Sequence, residues 1–165
     1  MTNKAENMAE GRLDLVLSRE IDVPRALVWK AWTEPEHLVR WFAPKPFTTA
    51  ECEVDLRPGG RFRTVMKAPD GAEFGGDGCI LEVVPERRLV FTDTLLPGFR
   101  PSPEPFFTAI VEMEDSAGGT RYTATALHKD DADRERHEAM GFHDGWSTCL
   151  DQLVALVRDM QEGPK

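Results

Sequence analysis

The sequence predicts an α+β domain: a seven-stranded antiparallel sheet, two short helices after the first strand, and one long C-terminal helix lying on the sheet. Three observations predict it. Residues 141–160, GFHDGWSTCLDQLVALVRDM, place Phe142, Trp146, Leu150, Leu153, Val154 and Val157 on one side at helical spacing. Most of the chain before them alternates apolar and polar residues with a period of two. The alternating runs are separated by short turns rich in Gly, Pro and Asp, which join antiparallel neighbours.

Residues 1–11 are polar and aperiodic, the pattern of a mobile leader. Residues 12–23 form the first strand, with Leu13, Leu15, Leu17, Ile21 and Val23 on one face. Pro24 suits the first turn of a helix, and PRALVWKAWT carries Leu27, Val28, Ala31 and Trp32 on one side. Residues 36–41 give a second short helical turn, stopped by the prolines of FAPKPF. Residues 47–56 set Ala50, Cys52, Val54 and Leu56 against Thr49, Glu51, Glu53 and Asp55. The turn Arg57-Pro58-Gly59-Gly60 returns the chain through residues 61–67 and completes a hairpin.

After Pro69-Asp70-Gly71 comes a strand over residues 73–84. Its Gly75, Gly76 and Gly78 signal a bulge or the close approach of another group. Residues 88–94 are the next strand. Residues 95–105, LLPGFRPSPEP, are the longest loop, with Phe99 at its middle. Residues 106–114 and 120–128 are the last strands, around a turn at 115–119. Residues 129–136 read as a solvated run of mixed charge, and residues 161–165 as a tail. No repeat or linker divides the chain, so residues 12–160 are expected to form a single domain.

The totals exclude several functions. A net charge of −9 and a pI near 4.9 argue against nucleic acid and anionic membrane surfaces as partners. No run approaches a membrane span, so membrane insertion is not expected. Cys52, Cys79 and Cys149 are odd in number and widely spaced, which argues against a disulfide framework or a zinc site. Buried free thiols, a reducing compartment and a cytoplasmic location follow. His37, His128, His137 and His143 show no metal-binding spacing, and no metal or cofactor is expected. The serines lie in no G-x-S-x-G context and the glycine clusters precede no helix, which removes a hydrolase elbow and a phosphate loop.

The ordered set of local patterns resembles a known family. The matching pieces are Pro24 with Val28-Trp29-Lys30-Ala31-Trp32-Thr33, then Pro35-Glu36, Leu38 and Trp41-Phe42. Asp55-Leu56-Arg57-Pro58-Gly59-Gly60 with Phe62, Asp70-Gly71, and Glu82-Val83-Val84-Pro85 with Arg88-Leu89-Val90-Phe91-Thr92 follow. Gly118-Gly119-Thr120 and Gly145-Trp146 with Leu150 and Leu153 complete the set. Over residues 12–160 the chain resembles bacterial relatives of the activator of heat-shock protein 90 ATPase, within the START and birch-pollen-allergen superfamily. The resemblance implies the helix-grip fold, a curved seven-stranded antiparallel sheet wrapped round the C-terminal helix. It also implies a cavity between helix and sheet that takes apolar ligands or hosts chemistry.

Trp41, Phe62, Met66, Phe74, Phe91, Phe107, Met140, Phe142 and Trp146 are the expected lining of that cavity. Loop 95–105 is its natural lid. Glu51, Glu53, Arg63, Tyr122 and His143 are the candidate polar groups. Glu51 and Glu53 face the same way as Arg61 and Arg63 across the hairpin, so cross-strand ion pairing is the favoured reading of the two acids. A buried carboxylate serving as general acid or base is the alternative. The expected function is binding of an apolar or amphipathic small molecule, with no catalytic residue assigned. The alternatives are a cyclase- or dehydratase-like enzyme using a cavity carboxylate or His143, and a co-chaperone-like interaction domain. An open sheet edge points to a homodimer.

Overall fold

The computed structural model describes residues 12–162. The expected leader, residues 1–11, lies outside the described residues, as do residues 163–165 of the tail.

The chain opens with β1 (Asp14–Ile21), followed by α1 (Arg25–Thr33) and α2 (Pro35–Leu38). Strands β2 (Thr48–Val54), β3 (Arg61–Lys67), β4 (Glu73–Val84) and β5 (Arg88–Thr92) come next. Two two-residue strands, β6 (Leu95–Leu96) and β7 (Arg100–Pro101), precede β8 (Phe107–Ser116) and β9 (Gly119–His128). Helices α3 (Asp131–Ala139) and α4 (Phe142–Glu162) close the chain. This is the helix-grip fold. Seven strands form one antiparallel sheet in the order β1-β9-β8-β5-β4-β3-β2, which is not closed.

Alternation decides which face looks at α4. Leu15 and Ile21 of β1, Tyr122, Ala124 and Ala126 of β9, and Ala109, Val111 and Met113 of β8 are all buried. Helix α4 returns Leu150, Leu153, Val154 and Val157 to the same core. The glycines of β4 permit close approach at two points. A Cβ on Gly78 would stand 2.6 Å from the Thr92 carbonyl oxygen and 3.1 Å from that of Phe62. Gly75 has φ +100°, a conformation that side-chain-bearing residues rarely adopt.

Three elements differ from expectation. The charged run after β9 is a helix: Asp130 caps α3 by accepting from the Asp133 amide at 2.8 Å. Its sequence is charged of both signs and has only Ala132 and Ala139 as apolar residues, so it shows no apolar stripe and hydrophobic periodicity misses it. The long loop contains the β6–β7 hairpin, and its tip does not cover the helix–sheet interior. Gly98 N–H donates to the Gly59 carbonyl at 2.8 Å, and the Phe99 ring lies where a Cβ on Gly59 would be, 2.8 Å away. The hairpin is therefore a clasp on the β2–β3 turn. Finally, α4 runs to Glu162, two residues beyond the expected end.

Candidate functional site

The concave face of the sheet is filled at one level and open at another. At the filled level, Phe62 of β3 and Phe91 of β5 stack with centroids 4.1 Å apart. Trp32 lies 5.7 Å from Phe91 and 4.8 Å from Trp41, and Phe42 lies 6.0 Å from Phe62. Such spacings are those of rings in direct contact. Trp41 also donates its indole N–H to the Ala31 carbonyl at 2.9 Å. Trp41, Phe62 and Phe91 are therefore core side chains, not the lining of an enclosed cavity.

Register locates the open level. Cross-strand partners share a face, so Val54, Phe62 and Gly78 form one row, Cys52, Thr64 and Gly76 the next, and Thr49, Met66 and Phe74 the third. Exposure rises along these rows, from 4% at Phe62 to 53% at Phe74. Phe91 pairs with both Ile80 and Ala109, so Gly78 and Phe107, each two residues further on, lie at the same end of the sheet. The second and third rows thus project past Phe107, at the end where α4 begins. There Phe107 and Trp146 stand 6.2 Å apart, packed against the core yet only partly buried, as are Phe42 and Cys52. Thr49 Oγ1, in the third row, is buried and has no hydrogen-bond partner among the described residues.

Behind Phe107 and Trp146 sits a pair of histidines. His128 ends β9 and His137 lies on α3, and each is only 7% exposed. His128 Nδ1 meets the Leu13 carbonyl at 2.8 Å, and its Nε2 meets His137 Nδ1 at 2.8 Å. The His137 ring is surrounded by Phe107, Phe106, Phe142 and Trp146, with centroids 4.9, 5.0, 5.2 and 6.3 Å away. Burial, then the neighbouring His128 and Arg136, push its pKa down to about 4. Asp93 holds the floor of this cage: its carboxylate accepts from the Phe106 and Phe107 amides at 2.8 and 3.0 Å. Burial raises the Asp93 pKa against the pull of those two bonds. Arg136 covers Phe106 from outside, with its guanidinium carbon 4.5 Å from the ring centroid.

The remaining expected residues are scattered. Met66 is half-buried in the third row, and Phe142 is 2% exposed, packed with Leu15 and Ala126. Phe74 stacks loosely on Phe47 at 6.2 Å, and Met140 follows α3 at 69% exposure, so neither lines an interior. Glu51, Glu53 and Arg63 lie on the opposite face from Phe62, because their parity is opposite. Arg63 pairs with Glu51 at 3.2 Å and with Asp77 at 3.6 Å, while Glu53 pairs with Arg61 at 3.4 Å. Tyr122 is 2% exposed, with its hydroxyl accepting from Trp32. His143 is exposed on the first turn of α4, 3.5 Å from Glu138. The polar groups required for a cyclase-type site do not converge.

Two other features hold charged groups. A surface concavity of about 330 Å³ lies between the β2–β3 turn and the β6–β7 hairpin, where Arg57 and Asp55 pair at 2.8 Å and Arg61 pairs with Glu53. Glu34, Glu36 and His37 are close enough together to share a metal ion, but Glu34 and His37 already form an i,i+3 pair at 3.5 Å.

Sequence reasoning missed His128 and His137 as a pair because nine residues and an unrecognised helix separate them. The available signal was the Asp130-to-Asp133 capping pattern, which starts a helix that turns His137 back toward the end of β9.

Comparison with known proteins gives consistent results. The pattern of the family described as Activator of Hsp90 ATPase homolog 1-like protein matches residues 22–158. The chain is similar to a solved structure from Nitrosomonas europaea, with 48% identity, a TM-score of 0.89, and 92% of this chain and 97% of that one covered. A protein from Mycobacterium smegmatis is 27% identical, with a TM-score of 0.76 and coverage of 89% and 91%. An AHSA1-like protein from Aeromonas hydrophila is 25% identical, with a TM-score of 0.68 and coverage of 90% and 94%. No curated protein matches the chain.

Proposed function

We propose that this domain, which belongs to the family of activator of Hsp90 ATPase homolog 1-like proteins, binds an apolar or amphipathic small molecule at the open end of its concave face. The fold supports a ligand-binding or co-chaperone-like domain. The observation that carries the finer reading is the gradient of burial along the concave rows. Phe62 is sealed, while Cys52, Met66, Phe107 and Trp146 remain partly uncovered at the end where α4 begins. Partly covered aromatic and sulfur-bearing side chains that converge on one concave face favour an apolar guest. The exposed large apolar residues elsewhere are divided among β1 (Val16), the segment after α2 (Val39) and the clasped β2–β3 turn and β6–β7 hairpin (Leu56 and Phe99), rather than gathered on one element, which favours the small-molecule reading over a docking patch.

Native mass spectrometry of the purified protein tests the reading. A co-purifying small molecule, retained by the wild type and lost when Trp146 is replaced by Asp in a protein that remains folded, is the expected result. Retention of the molecule by that variant would contradict it.

No helix among the described residues is long and apolar enough to cross a membrane. The reading places the protein in the cytoplasm, where Cys52, Cys79 and Cys149 stay free thiols. It also includes a homodimer through β1 or β2, the two edge strands of the sheet. A monomer mass by sedimentation equilibrium at micromolar concentration would remove the dimer from it.

A further inference from the structure

We infer that the hollow between the β2–β3 turn and the β6–β7 hairpin is a second binding site. Its ligand class is a small zwitterion that carries a carboxylate and an ammonium group on an apolar side chain, as an aromatic amino acid does. The hollow lies apart from the concave face. Glu53 and Arg61 neighbour Val54 and Phe62 in their strands, so they point to the opposite side of the sheet. The inference is therefore independent of the binding reading above.

Space and a fixed wall come first. The hollow measures about 330 Å³, within the range of small-ligand sites. Phe99 forms its apolar wall, with Pro58 and Pro97 beside it. The Phe99 side chain is half exposed, and its φ of +63° is one that a bulky residue rarely adopts. Two contacts hold it there. Gly98 N–H donates to the Gly59 carbonyl at 2.8 Å, and the ring packs onto Gly59, which has room for it only because it lacks a Cβ. Backbone held against its preference clusters at ligand-contacting segments, and here it keeps an aromatic ring uncovered beside the hollow.

Charge sets the ligand's chemistry. Two acids, Glu53 and Asp55, and two bases, Arg57 and Arg61, line the hollow, so its charges cancel. Each is only partly committed. Arg57 Nε meets Asp55 Oδ2 at 2.8 Å, and Arg61 Nη1 meets Glu53 Oε2 at 3.4 Å. Arg61 Nε is buried, stands 3.2 Å from Asp77 Oδ1, and makes no hydrogen bond among the described residues. These contacts leave most of the five N–H donors of each guanidinium, and acceptor capacity on each carboxylate, available. A lone anion would meet as many like charges as opposite ones, and so would a lone cation. A zwitterion turns its carboxylate to Arg57 and Arg61 and its ammonium to Glu53 and Asp55, and lays its side chain on Phe99.

Three matched probes test this by amide spectra of the ¹⁵N-labelled full chain. They are L-phenylalanine, N-acetyl-L-phenylalanine, which lacks the ammonium, and L-phenylalaninamide, which lacks the carboxylate. L-phenylalanine is expected to shift the Gly59, Gly98 and Phe99 amides saturably, and to bind about five-fold or more tightly than either analogue. Arg61→Gln and Phe99→Gly, the second of which suits the positive φ, are each expected to weaken it by about five-fold. Equal affinity of the three probes, or no saturable shift at these amides, overturns the site. So does undiminished affinity in either variant. Should one of them fail to fold, Arg57→Gln, at a side chain 67% exposed, takes its place under the same criterion.

Discussion

The indole N–H of Trp32 donates to the hydroxyl of Tyr122 at 3.0 Å, with both side chains buried at 1% and 2% exposure. The bond ties α1 to β9 beneath the long helix and gives the only tyrosine of the chain a structural post. Tyr122→Phe leaves the Trp32 donor buried without an acceptor. The expected cost is about 1–2 kcal/mol in urea unfolding, with the binding of apolar probes unchanged. Burial also holds the Tyr122 phenol far above its ordinary pKa of 10. Its absorbance should show no ionisation step as pH rises, until the fold itself is lost.

His137 makes stability depend on pH in the acid range. Its folded pKa of about 4 lies below the ordinary 6.5, so the unfolded chain binds a proton that the folded chain refuses. Above pH ~6.5 the group contributes no penalty. As pH falls from there to about 4 the folded state loses up to about 3 kcal/mol, and the loss then levels off. The groups facing the ring are His128 and Arg136, both of which oppose its protonation. Urea midpoints measured from pH 7.5 to 4 should fall in wild type and fall less in His137→Phe.

The thiols are shielded. Burial pushes Cys149 up to about 12 and Cys52 up to about 11. A thiol reagent at pH 8 should therefore react slowly with the native protein and quickly with all three cysteines in denaturant. Cys52 is the partly exposed member and borders the open rows, so it should react first, and a bound apolar probe should slow it.

Gly78→Ala places a methyl carbon 2.6 Å from the Thr92 carbonyl oxygen, inside a strand with no room to shift. The expected loss is roughly 2–3 kcal/mol. Gly118→Ala, whose Cβ would meet nothing within 4 Å, is the control and should cost well under that in the same thermal melts.

The seven large strands, the two short helices and the closing helix were all legible, because each carries an unbroken period of two or about 3.6. The outward Glu51, Glu53 and Arg63 were legible as cross-strand pairs for the same reason. What was not legible depends on tertiary placement. Parity assigns Phe74 to the concave face, but only register shows that its row projects beyond the cover of α4. Trp41, Phe62 and Phe91 are apolar whether they line a cavity or fill it, and ring spacing decided in favour of filling. Helix α3 lacks an apolar stripe and is held by capping and charge, with Lys129 pairing with Asp133 and Arg12 with Asp131. The His128–His137 contact therefore had no periodic signature.

The tryptophan indole resonances report whether the open end of the concave face binds a ligand. The chain has four tryptophans: Trp146 at the open end, Trp32 and Trp41 sealed in the core, and Trp29 on α1, partly buried against the core. Titration of ¹⁵N-labelled protein with 2-methylnaphthalene should move the Trp146 indole signal saturably and leave the Trp29 signal in place. A titration that leaves Trp146 unmoved, or that shifts all four in proportion without saturation, would mean that the open end is not a binding surface.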